Sequence, residues 1–274
     1  VDGDHDELTA AFVTSGTKVT ASKAVVTFDD VTNATMTAKQ ISDIVGAVTS
    51  ATITNKVAIS GDVSDMTAAL VTAGTSATIG TTGTTATVSD LATLSEANAI
   101  AKINNVTASF TLGLSDSSTA LTKNATTISD DMAAVTTDQS DIKITVNDAK
   151  DATVSATRLA AIGGTTTGDV TVSSAVKVTD DHDNLTAAFV TAGTKVLATS
   201  AVLTFNDNAN TTITAKQLSD IGGAVASASV TNKILVDGDH DELTAAFVTS
   251  GTKVTASKAV VTFDDVTNAT MTAK

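Results

Sequence analysis

The apolar positions of this chain fall into two alternating rhythms. In DELTAAFVTSG, residues 6–16, Leu8, Ala11 and Phe12 stand at i, i+3 and i+4, the spacing of one helix face. Asp6 is placed to cap the start of that helix, and Gly16 to take the left-handed conformation at its end. KVTAS and AVVTF follow, then ATIT or ASVT and KILV, with the alternation and β-branched runs of strands. Gly, Asn and Asp separate these runs, as in FDDVTN and FNDNAN. A helix of about two to three turns is marginal alone, so its Leu/Phe face must be held by neighbours.

The same rhythm returns. DHDELTAAFVTSGTKV around Leu8 recurs as DHDNLTAAFVTAGTKV around Leu185, as DVSDMTAALVTAGTSA around Met66 and more distantly as SDDMAAVTT around Met132. A second helical motif, TMTAKQISDIVGAV from Thr35, recurs from Thr87, Thr153 and Thr212, with apolar pairs Ile41/Ile44, Leu159/Ile162 and Leu218/Ile221. Residues 236–274 repeat residues 1–39 letter for letter, so the chain reads as one 235-residue period and the opening of the next, a window on a tandem array. The anchors Leu8, Met66, Met132, Leu185 and Leu243 are spaced 58, 66, 53 and 58 apart, which divides the period into four divergent units of about 58 residues. Each unit carries both helical motifs, and eight helical turns in one period allot about 29 residues to each.

These patterns predict a mainly β fold: a β-solenoid of stacked coils of about 29 residues with short helices at the corners, residues 1–274 forming one continuous segment. Each coil would run helix, strand, bend, strand, with no core of its own. The stretch SFTLGLSDSSTALTKNATTIS, residues 109–129, lengthens one interval and is expected to be an insertion projecting from the stack.

Composition narrows the partners. The seven Phe are the only aromatics, and Trp, Tyr, Pro and Cys are absent, so a core of Val, Ala, Thr, Leu and Ile would be thin and regular. Thirty acidic residues against sixteen basic give a net charge of −14, and Arg158 is the single arginine, which argues against a nucleic-acid partner. No apolar run approaches the roughly 20 residues that span a bilayer, so no membrane span is expected. Without cysteine there is no disulfide framework and no thiolate metal site.

Candidate chemistry is sparse. Asp2, Asp4 and Asp6, and their repeats Asp237, Asp239 and Asp241, alternate as the opening ligands of a calcium loop do, and Ca2+ is the one cofactor they suggest. The loop pattern then breaks at Glu7, where Gly is needed, and at Val13, where a bidentate Glu is needed, which favours acids placed at a helix start. His5, His182 and His240 are one repeated position flanked by Asp; with no nucleophile or second histidine at a telling spacing, each reads as an exposed loop residue. Phosphate-cradling glycine patterns are missing, and the chain is not expected to be an enzyme. The Thr-x-Thr pairs Thr35/Thr37, Thr52/Thr54 and Thr212/Thr214 raise the idea of a flat hydroxyl array that orders water and binds ice. Asn-x-Thr triplets at Asn33, Asn105, Asn124, Asn184, Asn210 and Asn268 are acceptors for surface glycans.

TVSATRLAAIGGTTTGDVTVSSA, residues 153–175, resembles the Thr/Ala/Val-rich β-strand repeats of very large secreted bacterial proteins, including cyanobacterial-type cell-surface and filament proteins. The glycine-aspartate nonapeptide of calcium-dependent β-rolls is absent from this chain. The resemblance implies an exported structural or adhesive protein at the cell surface or outside the cell. The expected function is a filament, sheath or matrix fibre built by end-to-end stacking of repeats, through self-association or covalent continuation. The alternatives are an acidic adhesin acting through divalent cations, and an ice-binding or polysaccharide-acting β-helix.

Overall fold

The computed structural model describes residues 1–194 and 196–265. It corrects the fold class. Among the described residues there are ten helices and five short parallel sheets, about 30% helix and 29% strand, so the architecture is mixed α/β and not a mainly β solenoid. Register corrects the repeat length as well: Asp2 pairs with Thr27, Val25 with Ser50 and Thr52 with Thr78, while Ala34 pairs with Val57 and Thr84 with Val106. In these ladders successive strands are therefore 22 to 27 residues apart, not 29.

The shortfall has a definite source. Helices α1 (His5–Phe12), α2 (Ala38–Gly46), α3 (Val63–Leu70) and α4 (Leu94–Ala101) are followed by α5 (Ser118–Leu121), α6 (Asp130–Asp138) and α7 (Ala156–Gly163), then by α8 (His182–Phe189), α9 (Ala215–Gly223) and α10 (His240–Phe247). Eight of them sit on the anchors read from the sequence and α10 opens the second copy; α5 is the extra one, inside the stretch read as a projecting insertion. Residues 109 and 110 belong to the strand Val106–Phe110, and Ser118, Leu121 and Thr122 are buried. The segment is largely another helix-bearing turn, which shortens all the others when the period is divided.

Two compact units result. The first holds residues 1–115 and 130–143, the second residues 116–129 and 144–274. In the first unit, one sheet orders Asp2–Gly3, Val25–Phe28, Ser50–Ile53 and Thr78–Ile79, and another orders Ala34–Thr37, Val57–Gly61, Thr84–Val88 and Val106–Phe110. The inward columns are apolar: Phe28, Ile53 and Ile79 stand in register, as do Met36, Ile59, Ala86 and Ala108. In the second unit, Thr153–Val154, Lys177–Asp180, Ala198–Phe205, Val225–Val230 and Val254–Thr255 form one sheet and Thr212–Thr214, Leu235–Gly238 and Val260–Phe263 another; Ile144–Val146 pairs with Val170–Val172.

The helices close each core from the side. Leu8, Met66 and Met132 are buried in the first unit and Leu185 and Leu243 in the second, each worth about 1.5–3 kcal/mol of burial. Capping follows the two motifs. α2, α4 and α9 start with reciprocal boxes, Thr37 with Gln40, Thr93 with Glu96 and Thr214 with Gln217. α1, α3, α8 and α10 start instead with Asp4, Asp62, Asp181 and Asp239, whose carboxylates accept the N–H three residues on. Asp6 is thus not the cap but a residue of the first turn; Gly16 has φ +96°, three residues beyond the C-cap Val13.

Candidate functional site: a histidine–aspartate clamp on helix starts

The three histidines are not loop residues. Each is the first residue of its helix, and each meets an aspartate from 25 positions further along the chain. In α1 the His5 N–H donates to Asp30 Oδ2 at 3.1 Å while its Nδ1 bonds Asp30 Oδ1. In α8 the His182 N–H reaches both oxygens of Asp207, at 3.2 and 3.1 Å, and Nδ1 lies 2.5 Å from Oδ1. In α10 the corresponding distances to Asp265 are 3.3 and 2.6 Å. Asp30 and Asp207 are buried, and a buried carboxylate here is satisfied by a charge-assisted bond at the positive end of a helix.

The backbone half of this clamp is more general than the histidine. Val63 N–H donates to Asp90 at 2.7 Å, Ser118 N–H to Asp148 at 2.8 Å and Ala156 N–H to Asp180 at 3.1 Å. Ser118 adds its hydroxyl to Asp148 at 3.1 Å. Every clamping Asp stands two residues beyond a strand Phe or Val, buried in all but the last instance: Phe28 and Asp30, Val88 and Asp90, Val146 and Asp148, Val178 and Asp180, Phe205 and Asp207, Phe263 and Asp265. That [Phe/Val]-x-Asp spacing was available in the sequence and is the signal that finds the clamp.

The far side of each imidazole faces a second carboxylate. Nε2 lies 3.5 Å from Asp6 in the first clamp and 3.3 Å from Asp183 and Asp241 in the others. A hydrolytic relay would hold a nucleophile in that place. Bracketed in this way, His240 has its pKa raised above the ordinary 6.5, first by its hydrogen bond to Asp265 and then by the charges of Asp241, Asp265 and Asp239 against the opposing effect of desolvation. Asp265 is correspondingly held below the usual carboxylate value, chiefly by the same bond. Over His182 lies an open polar depression of about 360 Å3 lined by Asp181, Asp183, Asn206, Asp207, Asn208 and Thr211.

The calcium candidates are dispersed. Asp2 lies in a strand, exposed; Asp4 and Asp239 are spent as helix caps, taking the N–H of Glu7 and Glu242 at 2.8 Å; Asp6 and Asp241 face histidine; Asp237 is half-buried in Leu235–Gly238. Among the described residues no group of three or more His, Asp or Glu is arranged to hold a metal ion. The Asn-x-Thr sites also divide. Asn33, Asn105 and Asn210 occupy left-handed turns at φ 67°, and the Asn105 and Asn184 amides donate to Ile79 O and to Asp180 and Asp181. Asn124 is exposed, with its Oδ1 accepting from Thr126, and Asn268 lies outside the described residues.

One of the threonine pairs belongs to a larger array. On the outward face of the sheet from Ala34–Thr37 to Val106–Phe110, Thr35, Ala58, Thr85 and Thr107 stand in register, and Thr37, Ser60, Thr87 and Ser109 form the parallel column. Seven of the eight positions carry hydroxyls. Within it Thr37 spends its hydroxyl in the α2 capping box and Ser109 donates to Thr87 at 3.3 Å; elsewhere Thr54 uses its hydroxyl on Phe28 O at 3.0 Å, and the column through Thr212 continues with Leu235 and Val260. No helix among the described residues is long and apolar enough to cross a membrane. Comparison with protein-family models, with curated proteins and with solved structures finds no match to this chain.

Proposed function

We propose that this chain is a non-catalytic structural repeat protein of an extracellular or cell-surface filament, sheath or matrix. The observation that carries the reading is the way neighbouring turns complete one another. Phe28, Ile53 and Ile79 form one buried column from three successive turns, and each clamping Asp ties its turn to a helix start 24 to 30 residues earlier. Since residues 236–274 restore residues 1–39, the series returns to the same faces after one period, and extension requires no new interface chemistry. The acidic surface, with net charge −14, suits a soluble extended material, and the resemblance of residues 153–175 to secreted β-strand repeats supports an extracellular reading. Negative-stain microscopy of native material tests this: uniform filaments are expected, and isolated particles at all concentrations would refute it.

A second reading rests on the hydroxyl columns. Strands about 4.8 Å apart, with columns roughly 7 Å apart along the strand, hold Thr35, Thr85, Thr107, Ser60, Thr87 and Ser109 in a two-row array that Thr37, engaged in the α2 cap, completes at one corner. Such an array can order water at an ice surface. Ice-recrystallisation assays decide: inhibition that disappears in Thr85→Lys/Thr87→Lys supports ice binding, and equal activity of both proteins, or none in either, removes it.

A further inference from the structure

Six Asn-x-Thr triplets stand in the sequence, and the fold treats the five within the described residues very differently. Asn105 and Asn184 have spent the atom that a glycan would occupy: their side-chain amides donate to Ile79 O at 2.9 Å and to Asp180 and Asp181 at 2.9 and 3.1 Å. Asn33 and Asn210 are exposed, but each is pinned at φ 67° with its backbone N–H on another turn, to Lys56 O at 2.7 Å and Lys233 O at 2.8 Å. Their companion threonines, Thr35 and Thr212, lie in ladder strands opposite Ala58 and Leu235. These four triplets are thus fixed by a turn, strand or helix, and none can be drawn out without breaking backbone hydrogen bonds.

Asn124 stands apart. Its setting is the tip of a small hairpin whose base is firmly held: Leu121 and Thr122 are buried, the Ser129 N–H donates to Leu121 O at 3.0 Å, and Thr122 and Ile128 form an antiparallel bridge. Above the base the Lys123 N–H closes the loop on Thr127 O at 2.9 Å, and residues 123–127 are all exposed. This tip is the part of residues 109–129 that does project. Within it Asn124 Oδ1 accepts twice from Thr126, from the backbone N–H at 2.9 Å and from the hydroxyl at 3.1 Å. Asn124 Nδ2 takes no bond among the described residues.

That pattern bears on reactivity. A carboxamide nitrogen is a poor nucleophile because its lone pair is delocalised into the carbonyl. Two donors on Oδ1 stabilise the negative charge that gathers on oxygen as an Nδ2 proton leaves, which brings the nucleophilic imidate form within closer reach. Both donors belong to the triplet itself, so the turn presents Asn and Thr together on an exposed edge.

We propose that Asn124 is a glycan-acceptor site, modified by transfer of a saccharide from a polyprenyl diphosphate carrier. Nδ2 forms a bond to the anomeric carbon, the bond from that carbon to the diphosphate oxygen breaks with its electron pair leaving on the diphosphate, and one Nδ2 proton passes to a base of the transferase. The inference rests on the extracellular reading. It puts carbohydrate on the projecting tip, where a bulky polar group displaces no buried contact.

The test incubates the folded 274-residue chain with an oligosaccharyltransferase that accepts Asn-x-Thr and a polyprenyl diphosphate chitobiose donor, then sequences tryptic peptides by electron-transfer mass spectrometry. Carbohydrate is expected on Asn124, in the peptide of residues 124–143, with transfer to Asn33, Asn105, Asn184 and Asn210 slower by about tenfold or more, since each needs local opening. Synthetic peptides carrying the same five triplets should differ far less. Thr126→Val, which removes the hydroxyl donor, should slow transfer to Asn124 by about tenfold or more, and Thr126→Ser should restore it. Equal melting temperatures of Thr126→Val and the parent chain would establish that the variant is folded. No transfer to Asn124, or equally fast transfer to Asn33 or Asn210, overturns the proposal. Chain isolated from its source should carry carbohydrate on the same peptide, and an unmodified Asn124 there overturns it as well. If such unmodified material still forms filaments, the structural-repeat reading stands without this site, whereas a glycosylated Asn124 on isolated particles does the reverse.

Discussion

Asp207 shows what one buried carboxylate holds together: it takes both the backbone N–H and the ring of His182. Removing it in Asp207→Ala strands a helix-end donor and an imidazole, a loss of about 1–3 kcal/mol by urea unfolding; Asp207→Asn, which keeps an acceptor, should lose less. The pH dependence is set where shifts act on the third clamp. His240 is raised above 6.5, so its share of stability is full below that value and fades as pH climbs through the folded pKa; Asp265 is depressed below 3.8, so its share is present above that value and fades in acid. The clamp therefore contributes most between about pH 4 and 6.5. An NMR titration of His240 should give a pKa above 6.5, and the difference in melting temperature between the parent and His240→Asn should shrink toward pH 9. Thr84 is the opposite kind of residue. It is buried opposite Val106 with no partner for its hydroxyl, so Thr84→Val should raise stability by up to about 1 kcal/mol, visible as a higher melting temperature.

At the scale of elements, helices meet the turn after the next helix through glycine. A Cβ on Gly163 would lie 2.0 Å from the carbonyl oxygen of Thr194, and one on Gly222 would lie 2.2 Å from that of Thr252, so α7 and α9 run against backbone that cannot retreat. Gly46, at the end of α2, has only Thr75 Cγ2 at 3.8 Å. Gly163→Ala and Gly222→Ala should each cost about 1–3 kcal/mol, whereas Gly46→Ala should be neutral or gain a few tenths through helix propensity; calorimetric melting of the three variants checks the order. What the sequence revealed at this scale was the helices, because Leu8, Met66, Leu159, Leu185 and Leu218 sit on a 3.6-residue rhythm that survives divergence. It hid α5, whose four residues are too few to show a period, and so the turns were overestimated and the weight of strand with them. The histidine clamp was hidden for another reason: His and Asp are 25 residues apart, and only the ladder register brings them together.

For the whole molecule, the repeated segment separates what a residue is from where it sits. Phe28 and Phe263 have the same neighbours in sequence for at least nine positions on either side, yet one fills a column with Ile53 and Ile79 while the other stands at an edge. Helix propensity, β propensity and capping are equal at the two sites, so any difference between Phe28→Ala and Phe263→Ala measures tertiary burial alone. A fully packed Phe costs about 3–5 kcal/mol when truncated; one that is more than half in water should cost less than about 1 kcal/mol. Urea unfolding of the two variants should separate them by several kcal/mol. Equal costs would mean that the Val260–Phe263 edge is already covered in solution.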